Sequence, residues 1–312
     1  MLSRMEQRPV IWVITDGKAG HESQSLGLAN AIASMTEAMV RVVPTDPRRG
    51  VWASRFARPP QVAREGNPTL AVGAGSGTHP TLRAIRRRLG VPTVVLMRPS
   101  FGGFDLVVAP RHDGMREGPS VITTRGAITS IRPSIAKDAT KGFLLIGGPS
   151  KHHAWSNDGM ISQIATIVAR TPEVSWTLTT SRRTPPTFLA ALERAGIEPS
   201  RLDVWSVERT SREWLLARYD ESATIWVSED SVSMVYEALT SGATVGLLRV
   251  PRMGKASRVV RGVAALADEG YATWFDRWEK SGSLQEPPER LDEATRVAGL
   301  LVERFGIARA RA

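Results

Sequence analysis

Short runs of aliphatic and β-branched residues alternate with amphipathic segments along the whole chain. Apolar runs near 10–15, 40–43, 70–72, 93–97, 106–109 and 121–123 predict strands. Apolar positions three and four apart near 23–33 and 78–88 predict helices between them. A second series follows, with strands near 143–146, 175–179, 203–205, 224–227 and 245–248 and helices near 158–169, 187–195, 231–240 and 257–268. Such alternation predicts parallel sheets with helices on both faces, an α/β chain of two doubly wound, Rossmann-like domains. The polar interval from Arg132 to Lys141 reads as the linker between them. After a breaker-rich stretch at 281–288, Leu291, Ala294, Val297, Ala298, Leu301, Val302 and Phe305 keep helical spacing, the mark of a closing helix with one apolar stripe.

In open parallel sheets ligands sit at the carboxyl ends of the strands, so the loops that follow strands are where chemistry is sought. The richest is at 227–242. A strand there runs into a helix whose Asp230, Ser233 and Glu237 fall on one side and Val232, Val235 and Leu239 on the other. The unpaired amides and partial positive charge of a helix start suit a phosphate, and Glu237 could accept the hydroxyls of an attached ribose. The same residues equally suit an N-cap at Asp230 or Ser231 and a solvated carboxylate at Glu237. A second apolar strand ends in Gly147-Gly148-Pro149-Ser150-Lys151, where glycines would let the backbone approach a phosphate. The loop Ser181-Arg182-Arg183-Thr184 offers guanidinium forks that suit a diphosphate, or two solvated cations.

In the first half the loop after the first strand reads Asp16-Gly17-Lys18-Ala19-Gly20-His21-Glu22-Ser23-Gln24. Histidine as a residue type takes up a proton near neutral pH, so His21 could serve as a general base; Asp16 is the rival, and a histidine that only hydrogen-bonds its loop is the plain alternative. The loop Gly73-Ala74-Gly75-Ser76-Gly77-Thr78-His79 is glycine-dense but lacks the lysine and serine of a P-loop and the glycine spacing of a dinucleotide fold. It is expected to line the cleft, with His79 structural.

Composition narrows the function. The chain has 312 residues, 42% of them apolar, and no cysteine, which excludes disulfides, thiolate metal sites and cysteine nucleophiles. Its five histidines lack zinc-site spacing, and no Asp-x-Asp signature follows a strand, so no metal and no separate cofactor are expected. No apolar run is long enough for a membrane span, and the start of the chain does not resemble a signal peptide, so a cytoplasmic location is expected. The net charge of +10 is uneven: residues 1–140 carry 19 Lys and Arg against 10 Asp and Glu. A helical block, Arg83, Arg86, Arg87 and Arg88, could face an anionic membrane or an acidic substrate, or simply be solvated. No nucleic-acid motif accompanies it.

Four motifs in order, the Asp16 to Glu22 loop with Gln24, Ile146 to Lys151, Ser181 to Pro185, and Asp230 to Met234 with Glu237-Ala238, resemble the mitochondrial fission (elongated mitochondria) family, which has many bacterial members. Asp105 and the Ala109 to Asp113 run also fit. One departure is Gly242-Ala243-Thr244, where a proline commonly follows the glycine.

That family is similar to GT-B glycosyltransferases, and the resemblance implies two Rossmann-like domains facing a central cleft. It implies an acceptor domain at 1–137, a donor domain at 138–290, and a helix at 291–312 crossing back. His21 sits where the enzyme that makes the lipid-linked disaccharide of peptidoglycan has its own glycine loop and histidine.

The activity expected is metal-independent transfer of a sugar from a nucleotide-diphosphate sugar to an acceptor hydroxyl, with a lipid-linked or anionic envelope glycan as acceptor. His21 or Asp16 would act as base. Donor-binding residues would be Gly147, Gly148, Ser150, Lys151, Ser181, Arg182, Arg183, Asp230, Ser231, Ser233, Met234 and Glu237. Gly17, Lys18, Gly20, Gln24, Gly75 and Ser76 would form the acceptor side, and the basic first domain would touch the inner face of an anionic membrane. A nucleotide-sugar epimerase of the same fold and a non-catalytic adaptor of the fission type are the alternatives.

Overall fold

The computed structural model describes residues 8–45, 67–254 and 257–308. The chain divides into two compact units, 1–130 with 292–312 and 131–291. The first is built from β1 (Val10–Thr15), α1 (Ala19–Thr36), β2 (Met39–Pro44), β3 (Leu70–Ala74), α2 (His79–Leu89), β4 (Thr93–Leu96), β5 (Leu106–Pro110) and β6 (Val121–Thr124). The second contains β7 (Asp138–Leu145), α3 (Asn157–Arg170), β8 (Ser175–Thr179), α4 (Thr187–Arg194), β9 (Leu202–Trp205), α5 (Arg212–Glu221), β10 (Ser222–Ser228) and α6 (Val232–Thr240). It ends with β11 (Thr244–Leu248), α7 (Arg258–Asp268), β12 (Thr273–Trp274) and α8 (Phe275–Ser281), after which α9 (Glu293–Arg304) returns to the first unit.

Each unit holds one six-stranded parallel sheet. The first has the order β2-β1-β3-β4-β5-β6 and the second β12-β11-β10-β7-β8-β9. Strands of a parallel sheet are covered on both faces, which is why they read as unbroken apolar runs: Ile11 to Ile14 and Phe143 to Leu145 are all buried. Registry in the second sheet also depends on shape. Trp226 pairs with Gly246 and Trp176 with Gly142, and a methyl group on either glycine would come within 2.4 Å of the facing indole. The stripe of α9 packs into the first unit's core with Leu28 and Ile32 of α1.

Both orders contain one point where the chain winds away in opposite directions, between β1 and β3 in the first sheet and between β7 and β10 in the second. At such a switch point the loops leaving adjacent strands part and leave a crevice at the carboxyl edge.

Three expectations are revised. Helix α1 begins at Ala19 rather than near 23, so Gly20 and His21 lie in its first turn and not in a loop. Part of the expected linker, from Asp138 on, is the exposed beginning of β7, where Asp138 pairs with Ser222 before a shift in register. The arginine block of α2 is not a free basic face. Arg83 lies over the rings of Phe101 and Phe104 and donates to the Gly102 carbonyl, and Arg86 donates to Asp105 at 2.9 Å. Arg87 is also engaged, which leaves Arg88 exposed without a partner among the described residues. Six further arginines of the basic half, Arg4, Arg48, Arg49, Arg55, Arg58 and Arg64, lie outside the described residues.

Candidate functional site

At the switch point of the first unit, Asp16 and His21 form a single pair. The His21 Nδ1 lies 3.1 and 3.0 Å from the two carboxylate oxygens of Asp16. Asp16 follows β1 and its side chain is buried, whereas that of His21 is 23% exposed. In the tautomer that donates Nδ1–H to Asp16, the outer Nε2 is left as an acceptor. Asp16 and His21, the two candidate bases, are thus in hydrogen-bond contact with each other.

The glycine loop after β3 is shaped around this pair. A Cβ at Gly75, whose φ is +81°, would stand 2.2 Å from the imidazole of His21, and one at Gly77 would stand 2.8 Å from Asp16 Cβ. Thr78 closes the loop by donating to the Gly75 carbonyl at 2.9 Å, and Ser76 stays exposed. The β1 loop is tied down in the same way: the Gly17 amide donates to Thr15 Oγ1, and Thr15 Oγ1 donates to Glu22 at 2.8 Å. Lys18 is exposed, with its Nζ 4.0 Å from Asp16. Gly20 has open space around it. Gln24 reaches Met97, which follows β4 with a left-handed φ of 69°. His79 is buried edge-on to Phe104, and burial, then the nearby Arg83 charge, lower its pKa.

The switch point of the second unit is wired differently. The Gly147 amide donates to Ser228 Oγ at 2.7 Å, and the Gly148 amide to Asp230 Oδ2 at 2.9 Å. Arg183 donates to the same Asp230 oxygen at 2.8 Å and to the carbonyls of Gly148 and Pro149. A Cβ on Gly147 would meet Asp230 at 2.3 Å, and one on Gly148 would meet the Arg183 carbonyl at 2.1 Å. The glycines are thus required by internal packing, and their amides already have acceptors. This corrects the expectation that Gly147, Gly148 and Arg183 are open to a diphosphate. The Gly147 amide is taken by Ser228. Gly148 and Arg183 pair one oxygen of a fully buried carboxylate, Asp230 Oδ2, whose Oδ1 is buried without a hydrogen-bond partner among the described residues.

The stripe of Asp230, Ser233 and Glu237 also separates. Asp230 precedes α6 and points inward; Ser233 is exposed; half-buried Glu237 accepts from Tyr219 Oη at 3.1 Å through Oε2. Burial raises the pKa of Glu237, with the Tyr219 hydrogen bond opposing. Its other oxygen has no partner among the described residues, and neither do the backbone amides of Val232, Ser233 and Met234. Ser231 is buried at the N-cap and its side chain makes no capping bond.

Ser150 turns back on its own loop, accepting from the amides of His152 and His153, while Lys151 is exposed. Ser181 accepts from the Arg183 amide, and Arg182 is exposed without a partner among the described residues. Gly242 caps α6 at φ +86°, and a Cβ there would lie 3.0 Å from the Ser134 carbonyl.

Residues the sequence reading passed over complete the arrangement. Glu229, beside Asp230 and equally buried, accepts from Arg252 at 3.0 and 2.8 Å and from the Val250 amide at 3.2 Å. Consecutive carboxylates at the end of β10 therefore tie down the loops after β7, β8 and β11. The available signal was the pair of acids one residue beyond the apolar run Ile225 to Val227. No group of three or more His, Cys, Asp or Glu side chains fit to hold a metal occurs among the described residues, and no helix of theirs is long and apolar enough to cross a membrane.

The family model for mitochondrial fission ELM1 matches residues 19–305. No curated protein matches the chain by sequence. Among solved structures, a UDP-N-acetylglucosamine 2-epimerase is similar over 99% of this chain and 99% of its own, at 14% identity and a TM-score of 0.57. The UDP-GlcNAc 2-epimerase from Methanocaldococcus jannaschii is similar over 95% of this chain and 99% of its own, at 11% identity and a TM-score of 0.54. The enzyme of that name from Neisseria meningitidis, bound to UDP-GlcNAc, is similar over 96% and 99%, at 12% identity and 0.53. At such identities the likeness is one of fold, that of two Rossmann-like units of the GT-B type.

Proposed function

The chain belongs to the mitochondrial fission ELM1 family, and from that premise and the two switch points we propose that it is a metal-independent glycosyltransferase of the GT-B type. The second unit takes a nucleotide-diphosphate sugar and the first takes the acceptor. The observation that carries the reading is α6, which starts just past the carboxyl end of β10: among the described residues its first three amides have no acceptor, and further along it half-buried Glu237 has one oxygen without a hydrogen bond. The amides and the helix dipole would hold the diphosphate, and Glu237 would accept a ribose hydroxyl. Arg182, Ser233 and Lys151 are the exposed polar groups of the same edge, while Asp230 and Arg183 fix the loops that frame it.

In the reaction an acceptor oxygen attacks the anomeric carbon, the bond from that carbon to the diphosphate breaks, and the acceptor proton passes to His21 Nε2. Asp16 holds the imidazole in the accepting tautomer and stabilises the cation formed. Amides fixed before the reaction stabilise the departing diphosphate without reorganising. The acceptor is a hydroxyl on a glycan, lipid-linked or otherwise anionic, met in the cytoplasm or at the inner face of a membrane by the basic first unit.

A thermal-shift screen of nucleoside diphosphates and nucleotide sugars tests the reading. A ligand at 100 times its Kd stabilises the native state by about 2.7 kcal/mol, and Glu237→Gln should abolish most of the shift. No shift from any nucleotide, or the same shift in the variant, would refute it. The fold neighbours that act on or bind UDP-GlcNAc favour a second reading, a nucleotide-sugar epimerase. Conversion of a lone nucleotide sugar in the absence of any acceptor would select it.

A further inference from the structure

A cavity of about 520 Å³ opens in the second unit on the side of the sheet that carries α3. The α6 start is not among its lining residues, and the proposed transfer makes no use of it. Its walls include Arg249 and Arg252 from the loop after β11, Trp155 and Met160 from the entry and first turns of α3, and Val250. The loop that carries the arginines is held rigidly. Gln163 grips the backbone of Arg249 from both sides, donating to its carbonyl at 2.9 Å and accepting from its amide at 2.8 Å. Two backbone bonds, from Ala154 to the Pro251 carbonyl and from Met253 to the His152 carbonyl, fasten the rest to the segment entering α3.

Both guanidinium groups are pre-set. Arg249 donates Nε to Asp276 at 2.6 Å and has its guanidinium carbon over Trp274, 3.8 Å from the ring centre. Arg252 donates Nε and Nη2 to Glu229 and stands 5.6 Å from the same ring. Two like charges are thus held over one indole, each anchored by a carboxylate along one edge of its fork. Among the described residues nothing takes the Nη donors of Arg249 or the Nη1 of Arg252. Two arginine forks that line one cavity, each with outer donors free among the described residues, suit an oxyanion, and a phosphoryl group has oxygens to accept from both. The N-terminal turn of α3, capped by Ser156 Oγ accepting from the Gly159 amide at 3.1 Å, lies in the same wall and brings the positive end of the helix dipole near it.

We propose that this cavity is a second ligand site, which binds a small phosphomonoester. Its phosphoryl group lies between Arg249 and Arg252, and its ring or aliphatic body lies against Trp155, Met160 and Val250. The inference goes beyond the donor reading and stands on different residues.

Isothermal titration of the full chain with phenyl phosphate, and separately with inorganic phosphate, tests it. Saturable binding of phenyl phosphate is expected, tighter than that of inorganic phosphate because the ring fills the apolar wall. Arg249→Gln should weaken it at least tenfold and Arg249→Lys less, whereas Glu237→Gln should leave it unchanged. Should Arg249→Gln fail to fold, a crystal soaked in phenyl phosphate answers the same question by where the phosphorus lies. The proposal is overturned if neither anion binds saturably, if Arg249→Gln binds phenyl phosphate as well as the parent chain, if Glu237→Gln rather than Arg249→Gln removes binding, or if the phosphorus lies away from both arginines. Failure of the nucleotide screen with phenyl phosphate still bound would refute the donor reading and leave this one standing.

Discussion

The two switch points occupy equivalent places in their sheets and treat their polar groups in opposite ways. Between β1 and β3 the acid and base are five residues apart, they pair with each other, and the imidazole keeps an outer nitrogen for other work. Between β7 and β10 the charges lie deep. Asp230 Oδ2 is taken by Arg183 and the Gly148 amide and Glu229 by Arg252, and the groups left without a hydrogen bond among the described residues include the first amides of α6, one oxygen of Glu237 and the buried Oδ1 of Asp230. Depth explains the difference. A carboxylate withdrawn from solvent is costly unless charges and hydrogen bonds offset it, so Asp230 through Oδ2 and Glu229 through both oxygens become fasteners, and binding falls to the backbone.

The comparison breaks most visibly at Asp230. Replacing it with alanine leaves the Gly148 amide and the Arg183 guanidinium without their acceptor, and the expected loss is about 3–5 kcal/mol in urea unfolding. A loss below about 1 kcal/mol would mean the loops are not fastened there. Next comes Gly75→Ala, where a left-handed backbone contributes about 1–2 kcal/mol and overlap with the His21 ring about 1–3. Gly17→Ala is the control. It has the same sign of φ, at +79°, and nothing within 4 Å, so it should show the backbone cost alone. Equal losses at the two glycines would contradict the idea that the β3 loop is moulded around His21.

The smallest effect concerns protons. Burial raises the folded pKa of Glu237 above its ordinary 4.5, so the native chain keeps that proton longer than the unfolded chain. The resulting contribution is complete below pH 4.5 and is lost as pH rises through the folded value. Glu237→Gln should lack this limb, and its stability should gain on the parent's as pH rises above 4.5. Unfolding curves that stay parallel across that range would place Glu237 in a solvated setting.

Much of this fold was legible because parallel strands are apolar on both faces: eleven of the strands stand out as runs, and the stripe of α9 is plain. Strand β12 has two residues, too few to show a pattern. Helix α5 escaped because its apolar residues do not form one stripe; Trp214 and Tyr219 both meet Phe143 edge-on. The residues at the switch points could be named from their position after strands, but the partners of Asp230 could not. Gly148 and Arg183 are 82 and 47 residues away, and the same letters in sequence suit a ligand grip or an internal brace. His21 and Asp16 lay within one loop, yet their union depended on α1 starting at Ala19, which brings the imidazole back over the end of β1.

The most direct test of the division between a chemical first site and a binding second site is nucleoside diphosphate release from the nucleotide sugar that stabilises the chain most, compared in the parent and in His21→Gln. The account predicts unchanged donor affinity and turnover lowered by about 10²–10⁴-fold. Undiminished turnover, or loss of donor affinity in step with loss of rate, would contradict it.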